Sequence, residues 1–469
     1  MEEPTTATTT ATKTTTVGEE APKQDRETVS IGIDPIRNGF NPHLLADDSA
    51  LVRDISSLVF PSAFVGNQLN SDLLDNVEQT APTKIKYTIA QEAQWSDGTP
   101  ITGSDFEYLR KSIVSTPGAM NEVAYSAISS INTSGGGKTV EVIFKQPVAD
   151  WHVLFQNLLP SHLMAAVPFK NALYETIPAA AGRYMVRSID RQRGIITLAR
   201  NDRFWGKNPA NVEVLSFHSV ASPSRAGEYL RTGQSSFMNL TPQETLMDTL
   251  TLVPNTEVRT SNTSRTLELV FNAENLAPEK RAYLSSLIDV PLAARLAGGR
   301  SANLSVADSV GGSVDKQEIG DLKIAADPAD DASVAAARGI VDMLARNGVK
   351  AQVVTTDLGS AIDGDFDAIV AWTRNAADSV VLADRYSCGV NLAKWCNDET
   401  TEYINSVLAG DIAFDSTWEQ QFNLENRLRV PILHETRIEA KNNGIIGETD
   451  GWPGGISSAP NWRKNDLAE

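Results

Sequence analysis

Between Leu322 and Trp372 the sequence commits the chain to a parallel sheet. LKIAAD (322–327) reads as a buried strand, and SVAAARGIVDMLARNG (333–348) as an alanine-rich helix opened by Asp331 and Ser333 and closed by Asn347-Gly348. VKAQVVT (349–355) and FDAIVAW (366–372) are further strands, short and rich in β-branched residues. Strands joined by a crossover helix run parallel, so the fold class is α/β. Open sheets of this kind hold ligands beyond the carboxyl ends of their strands. The last strand ends at Trp372 and breaks into a polar, loop-like segment, Thr373–Asp378, which makes this strand end the first candidate site. The competing reading is that Trp372 caps a core.

At 469 residues the chain suits two or three domains. Its 41% hydrophobic and 21% charged residues fit a sizeable core with a polar surface. The formal charge of −18 argues against nucleic acid as a partner and against electrostatic binding to anionic lipid. No run of about 18 apolar residues exists to span a membrane. Residues 1–27 carry a threonine-rich tract and hold neither an apolar signal core nor a lipid-accepting cysteine. They read as a disordered tether, with any anchor supplied by an upstream segment.

The two cysteines, Cys388 and Cys396, are not spaced as CxxC and have no nearby histidine to complete a zinc set. A disulfide between them needs an oxidising, extracytoplasmic compartment; two free thiols are the alternative.

Elsewhere the pattern mixes strands and helices. Thr28–Asp34 alternates as a strand, and Leu51, Ile55 and Leu58 recur at helical spacing. Lys84–Ile89 is a strand, Asp97-Gly98 a turn, and Ser104 or Asp105 is placed to cap a helix carrying Phe106, Leu109 and Ile113. Residues 181–206 read as two strands about Arg193-Gly194. Thr266–Asn272 and Pro431–His434 are strands, and Pro278–Leu296 is helical.

The chain carries no recognisable catalytic constellation. None of His43, His152, His162, His218 and His434 forms HExxH or a paired spacing, and there is no G-x-S-x-G elbow, P-loop or dinucleotide fingerprint. Binding without catalysis, and without a cofactor or metal, is expected. Trp372, Trp395, Trp452 and Trp462 crowd the C-terminal quarter, and aromatic surfaces beside polar groups suit a pocket for a polar or sugar-bearing ligand.

Three segments in order carry a resemblance. NGFNPHLL, WSDGTPITGSDFEYLRKSI (95–113) and AGRYMVRS…GIITLARNDRFWGKNP (181–209) are similar to motifs of the family 5 extracytoplasmic solute-binding proteins, the peptide and nickel receptors of ABC importers. CGVNLAKWCN, SGGGKTVEVIFKQPVADW and the closing GIIGETDGWPGGISSAPNW narrow the likeness to actinobacterial lipoproteins associated with phosphatidylinositol mannoside and lipomannan assembly. The resemblance implies a monomeric, two-lobed periplasmic-binding-protein-like fold (type II, large cluster C kind) with an interlobe cleft. Lobe 1 would span 28–254, with an extra subdomain at about 50–180, and lobe 2 would span 255–435. Residues 436–469 would return to lobe 1. Closure about a hinge is the implied mechanism.

The implied cleft residues are Asn41, His43, Trp372, Thr373, Arg374, Asn375 and Asp378. Peptide receptors of the family carry an acid shortly after this tryptophan to pair with the ligand's amine. Here that position holds Asn375, with Arg374 beside it. A ligand rich in hydroxyls or bearing phosphate suits this pair better than an amine. The implied partners are a small-molecule or glycolipid ligand and a membrane mannosyltransferase or ABC permease, with the protein lipid-anchored on the outer face of the membrane. Two alternatives stand beside this: an importer receptor for oligopeptides, and a scaffold that has lost its pocket.

Overall fold

A computed structural model describes residues 27–309, 314–362, 364–447, 452 and 454–465. The threonine-rich tract expected as a tether lies outside these residues, apart from Glu27, as do parts of the glycine-rich C-terminal segment.

The expected crossover forms. Leu322–Ala326 pairs in parallel with both Ala351–Thr355 and Ala368–Arg374. The helix between them is Asp331–Arg346, and its cap is Asp330, whose carboxylate accepts from the Ala332 amide. Alanines and Gly339 on its inner face allow close approach to the sheet, and Ala336, Ala337 and Ile340 are fully buried. The last strand runs on to Arg374. Thr373 and Arg374 are therefore sheet residues rather than loop, because their backbone groups continue the ladder to Thr266 and Arg265.

Two strands are much longer than their apolar cores predict. Glu257–Phe271 and Arg429–Lys441 pair antiparallel along most of their length. At one end they lie against Phe237–Leu240, which joins Thr28–Ile33, Val214–Ser219, Ile195–Arg200 and Tyr184–Asp190. At the other end Glu257–Phe271 pairs with Ala368–Arg374. One continuous sheet thus runs through both halves of the molecule. Its register breaks between Asn262 and Thr266 and again between Leu267 and Glu268. Bulges of this kind bend and twist a strand, so they mark the crossing point. Polar alternation over Glu257–Ser264 hid this part of the strand from sequence pattern, since only Arg265–Phe271 is continuously buried.

A separate four-stranded antiparallel sheet sits in the first half, in the order Leu74–Ala81, Lys84–Ile89, Thr139–Phe144, Ile128–Ser134. The helix Gly103–Val114 packs on it through Phe106, Leu109 and Ile113. Its cap is Thr102, and Asp105 completes a capping box by accepting from the Thr102 amide at 3.0 Å. Asp105 also accepts from Ser161 and Trp95, which locks the loop around it. Pro278–Leu296 is two helices, Pro278–Ser286 and Val290–Gly298, split where Asp289 caps the second. The cysteines form the disulfide Cys388–Cys396.

Candidate functional site

The two halves of the sheet face one another across a cavity of about 520 Å³. Its first wall is the segment after Thr28–Ile33, running from Asp34 to Val52. Its floor is the crossing strands, through Arg265, Glu435 and Arg437. Its far wall is Trp372 and the start of the helix Asp331–Arg346. The volume is in the range of small-molecule sites.

The floor is a charge cluster. Asp48 is almost fully buried. Arg53 donates to it at 2.7 Å, and Arg265 and Arg374 approach at 3.5 and 3.8 Å. Burial alone would push this carboxyl up, but the three guanidiniums outweigh burial and hold it down at about 2. Glu435 is paired in turn with Arg53 at 3.1 Å and Arg265 at 3.3 Å, and Thr263 donates to it. Burial also raises Glu435, and the same arginines bring it below the ordinary carboxylate range. Arg265 further lies over the Trp372 ring, 5.5 Å from its centroid.

Of the residues implied from sequence, Trp372 lines this cavity. His43, Arg374 and Asp378 line a second, smaller chamber. Asp378 caps the helix Ser379–Tyr386, accepting from Val380 and Val381 at 3.0 and 2.9 Å. His43 donates through Nε2 to the Asn157 carbonyl at 2.9 Å, and burial holds its ring neutral with a pKa of about 4. Asn41, Thr373 and Asn375 line neither space. Asn41 shapes its own turn, donating to the Phe169 carbonyl and accepting from the His43 amide. The Thr373 hydroxyl donates to buried Glu268 at 2.6 Å, and Glu268 also holds Arg385 and Arg429. Asn375 accepts from the Thr266 hydroxyl at 2.7 Å.

Sequence reasoning missed Asp48, Arg265, Glu435 and Arg437. One signal was present: Glu268 stands inside the otherwise apolar run TLELVF, with Arg265 immediately before it, and charges there require buried partners.

The lobes are closed on one another. Arg37 meets Asp331 at 2.6 Å and Lys170 meets Asp357 at 3.0 Å. Two carboxylates meet helix starts across the gap. Asp150 accepts from the amide and hydroxyl of Ser379, at 2.9 and 2.6 Å. Asp384, on the helix that Ser379 begins, accepts from the amides of Asn121 and Val123. No helix among the described residues is long and apolar enough to cross a membrane, and no group of potential metal ligands assembles there.

A model of the bacterial extracellular solute-binding proteins, family 5, middle region, matches residues 68–291. The probable monoacyl phosphatidylinositol tetramannoside-binding protein LpqW of Mycobacterium tuberculosis is 32% identical over 289 residues, which are 58% of this chain and 45% of LpqW. The oligopeptide-binding protein OppA of Mycobacterium bovis is 30% identical over 202 residues, which are 40% of this chain and 34% of OppA. The chain therefore spans less than half the length of the curated relatives it matches. Among solved structures, the binding protein AgaA of A. tumefaciens R10, in complex with agropinic acid, superposes with a TM-score of 0.73 at 17% identity, covering 93% of this chain and 99% of AgaA. That likeness speaks for the two-lobed fold. Motifs, fold and the partial family match agree: over residues 68–291 the chain is similar to the family 5 extracellular solute-binding proteins, and nearly its whole length shares their two-lobed fold.

Proposed function

We propose that this protein binds the glycosyl headgroup of a mannolipid between its lobes, and acts in phosphatidylinositol mannoside and lipomannan assembly as a lipid-anchored protein on the outer face of the membrane. The observation that carries the reading is the state of the cavity's acids. Six carboxylates line it, and each is already engaged within the protein. Asp34 holds Arg437, Asp48 and Glu435 share Arg53 and Arg265, and Asp331 holds Arg37. Asp327 and Asp330 accept from backbone amides at the turn and cap that open the helix. A peptide's α-amine would find four of these acids already paired with arginine and the other two held by backbone amides, so its lost hydration would be poorly repaid. Neutral hydroxyls carry no such penalty, and the partly exposed Trp372 offers them an apolar face. The likeness to LpqW supports the same class of ligand. The cavity itself supports a ligand-holding protein over a scaffold that has lost its pocket.

The alternative is an ABC-importer receptor for oligopeptides, and the likeness to OppA supports it. One measurement separates the two. The protein is titrated by native mass spectrometry with purified phosphatidylinositol mannosides, their deacylated headgroups and a mixed peptide library. Retention of headgroups supports the proposal. Retention of peptides with no response to mannolipids overturns it.

A further inference from the structure

The smaller chamber, of about 170 Å³, draws its wall from both lobes, and its polar groups are unspent. Asn121, Gln156 and Asn157 line it from one side and Arg374 from the other. Among the described residues none of these three side-chain amides makes a hydrogen bond within the protein, and neither does the Arg374 guanidinium. Asn121 and Asn157 sit at φ 64° and 49°, a region that asparagine tolerates better than most residues. The carboxylates nearby are committed. Asp378 caps its own helix, and Asp384 caps the helix that follows Asn121. What remains free is a set of groups that each donate, with three that also accept. A sugar hydroxyl, which does both, is the natural counterpart, whereas a hydrocarbon would strand all four.

Arg374 also joins the two spaces. It lines the chamber, while its Nε lies 3.8 Å from Oδ2 of Asp48, which lines the larger cavity. The pair is too long to be a hydrogen bond, and the Arg374 side chain is 31% exposed, so little holds it in place. It is a partition that a ligand can displace. We propose that this chamber is a second hydroxyl-binding subsite, which takes one terminal sugar unit of a ligand whose remainder fills the larger cavity past Arg374. The proposal rests on the glycosyl reading of the cleft and adds to it a limit on ligand length.

The test uses α-linked manno-oligosaccharides of one to five units, titrated by calorimetry into the wild-type chain and into Gln156→Leu. Leucine keeps the bulk of Gln156 at a half-buried position and removes its amide, so folding is preserved; a melting curve checks this. Wild-type affinity is expected to rise with length until a unit enters the chamber. Gln156→Leu should lose roughly three- to tenfold on that member and on longer ones, the effect of one hydrogen-bonding group, and leave shorter ones unchanged. If the variant binds every length as the wild type does, the subsite is refuted while the cleft reading stands. If no oligosaccharide binds the wild type, the cleft reading fails and this proposal falls with it.

Discussion

Replacing Asp48 by asparagine removes one negative charge from beneath three arginines while keeping the shape of the side chain. Asp48 is 2% exposed at its side chain, and its pKa stands at about 2 against an ordinary 3.8. That gap corresponds to about 2–3 kcal/mol of preference for the ionised form in the folded state. Asparagine still accepts from Arg53 but leaves Arg265, whose side chain is 7% exposed, facing only Glu435, and takes from Arg374 the carboxylate it approaches. The expected loss is therefore about 2–3 kcal/mol at pH 7, measured by urea denaturation. The sign with pH follows from the depressed pKa. The contribution is fully present above about 4, where the unfolded chain is ionised, and disappears as pH falls towards about 2. The difference between wild type and Asp48→Asn should therefore shrink steadily between pH 4 and pH 2. Two results would refute the reasoning. One is a difference below about 0.5 kcal/mol at pH 7, the range of ordinary surface substitutions. The other is a difference that stays constant down to pH 2.5.

Asp384 predicts the opposite pH dependence. Burial pushes its carboxyl up to about 7 despite its two amide donors and the nearby Arg374, and Glu122 adds to the rise. A proton thus favours the closed form, and closure should weaken as pH climbs from about 4 to 7 and then level off. Small-angle scattering of the ligand-free protein at pH 5 and pH 8 should show expansion at the higher pH, and Asp384→Asn should show none. The disulfide closes a short loop, so the double serine variant at Cys388 and Cys396 should lose about 2–3 kcal/mol. Thiol titration of the denatured, unreduced protein should find no free thiol; one or more would contradict the pairing.

The parts of the fold read correctly were those fixed by local rules. The crossover from Leu322 to Trp372 needs only apolar runs, an alanine face and turn residues, all adjacent in sequence. The site is different because its charges come from positions 48, 53, 265, 374 and 435, and only the two long strands bring them together. A lone aspartate in a sequence reads as solvated or as a cap, and Asp48, just before the cap Ser49, gives no other sign. Trp372 was expected at a strand end; it stands two residues before that end, and it lines the cavity. Asn375 was legible only as a missing acid. Its actual partner, Thr266, lies on the neighbouring strand, in a register that no local pattern encodes.

The placement of these charges also bears on how closure is controlled. Arg265 and Glu435 both sit on the crossing strands, so their pair survives opening. Asp48 and Arg53 precede the crossing strands and Arg374 lies between them in sequence, and the contact of Asp48 with Arg374 is the longest of those around Asp48. The rim pairs that must also break are exposed at both ends: Arg37 and Asp331 at 45% and 81%, Lys170 and Asp357 at 49% and 54%. Exposed pairs of this kind contribute about 0–1 kcal/mol each and are screened by salt. The caps at Asp150 and Asp384 are firmer, but they replace bonds that water would supply to the same amides. The closed form is thus held by contacts that are individually close to balanced. A ligand that touches both lobes needs to add only a few kcal/mol to move the population. The buried pair of Arg265 and Glu435 on the crossing strands fixes geometry and does not oppose opening.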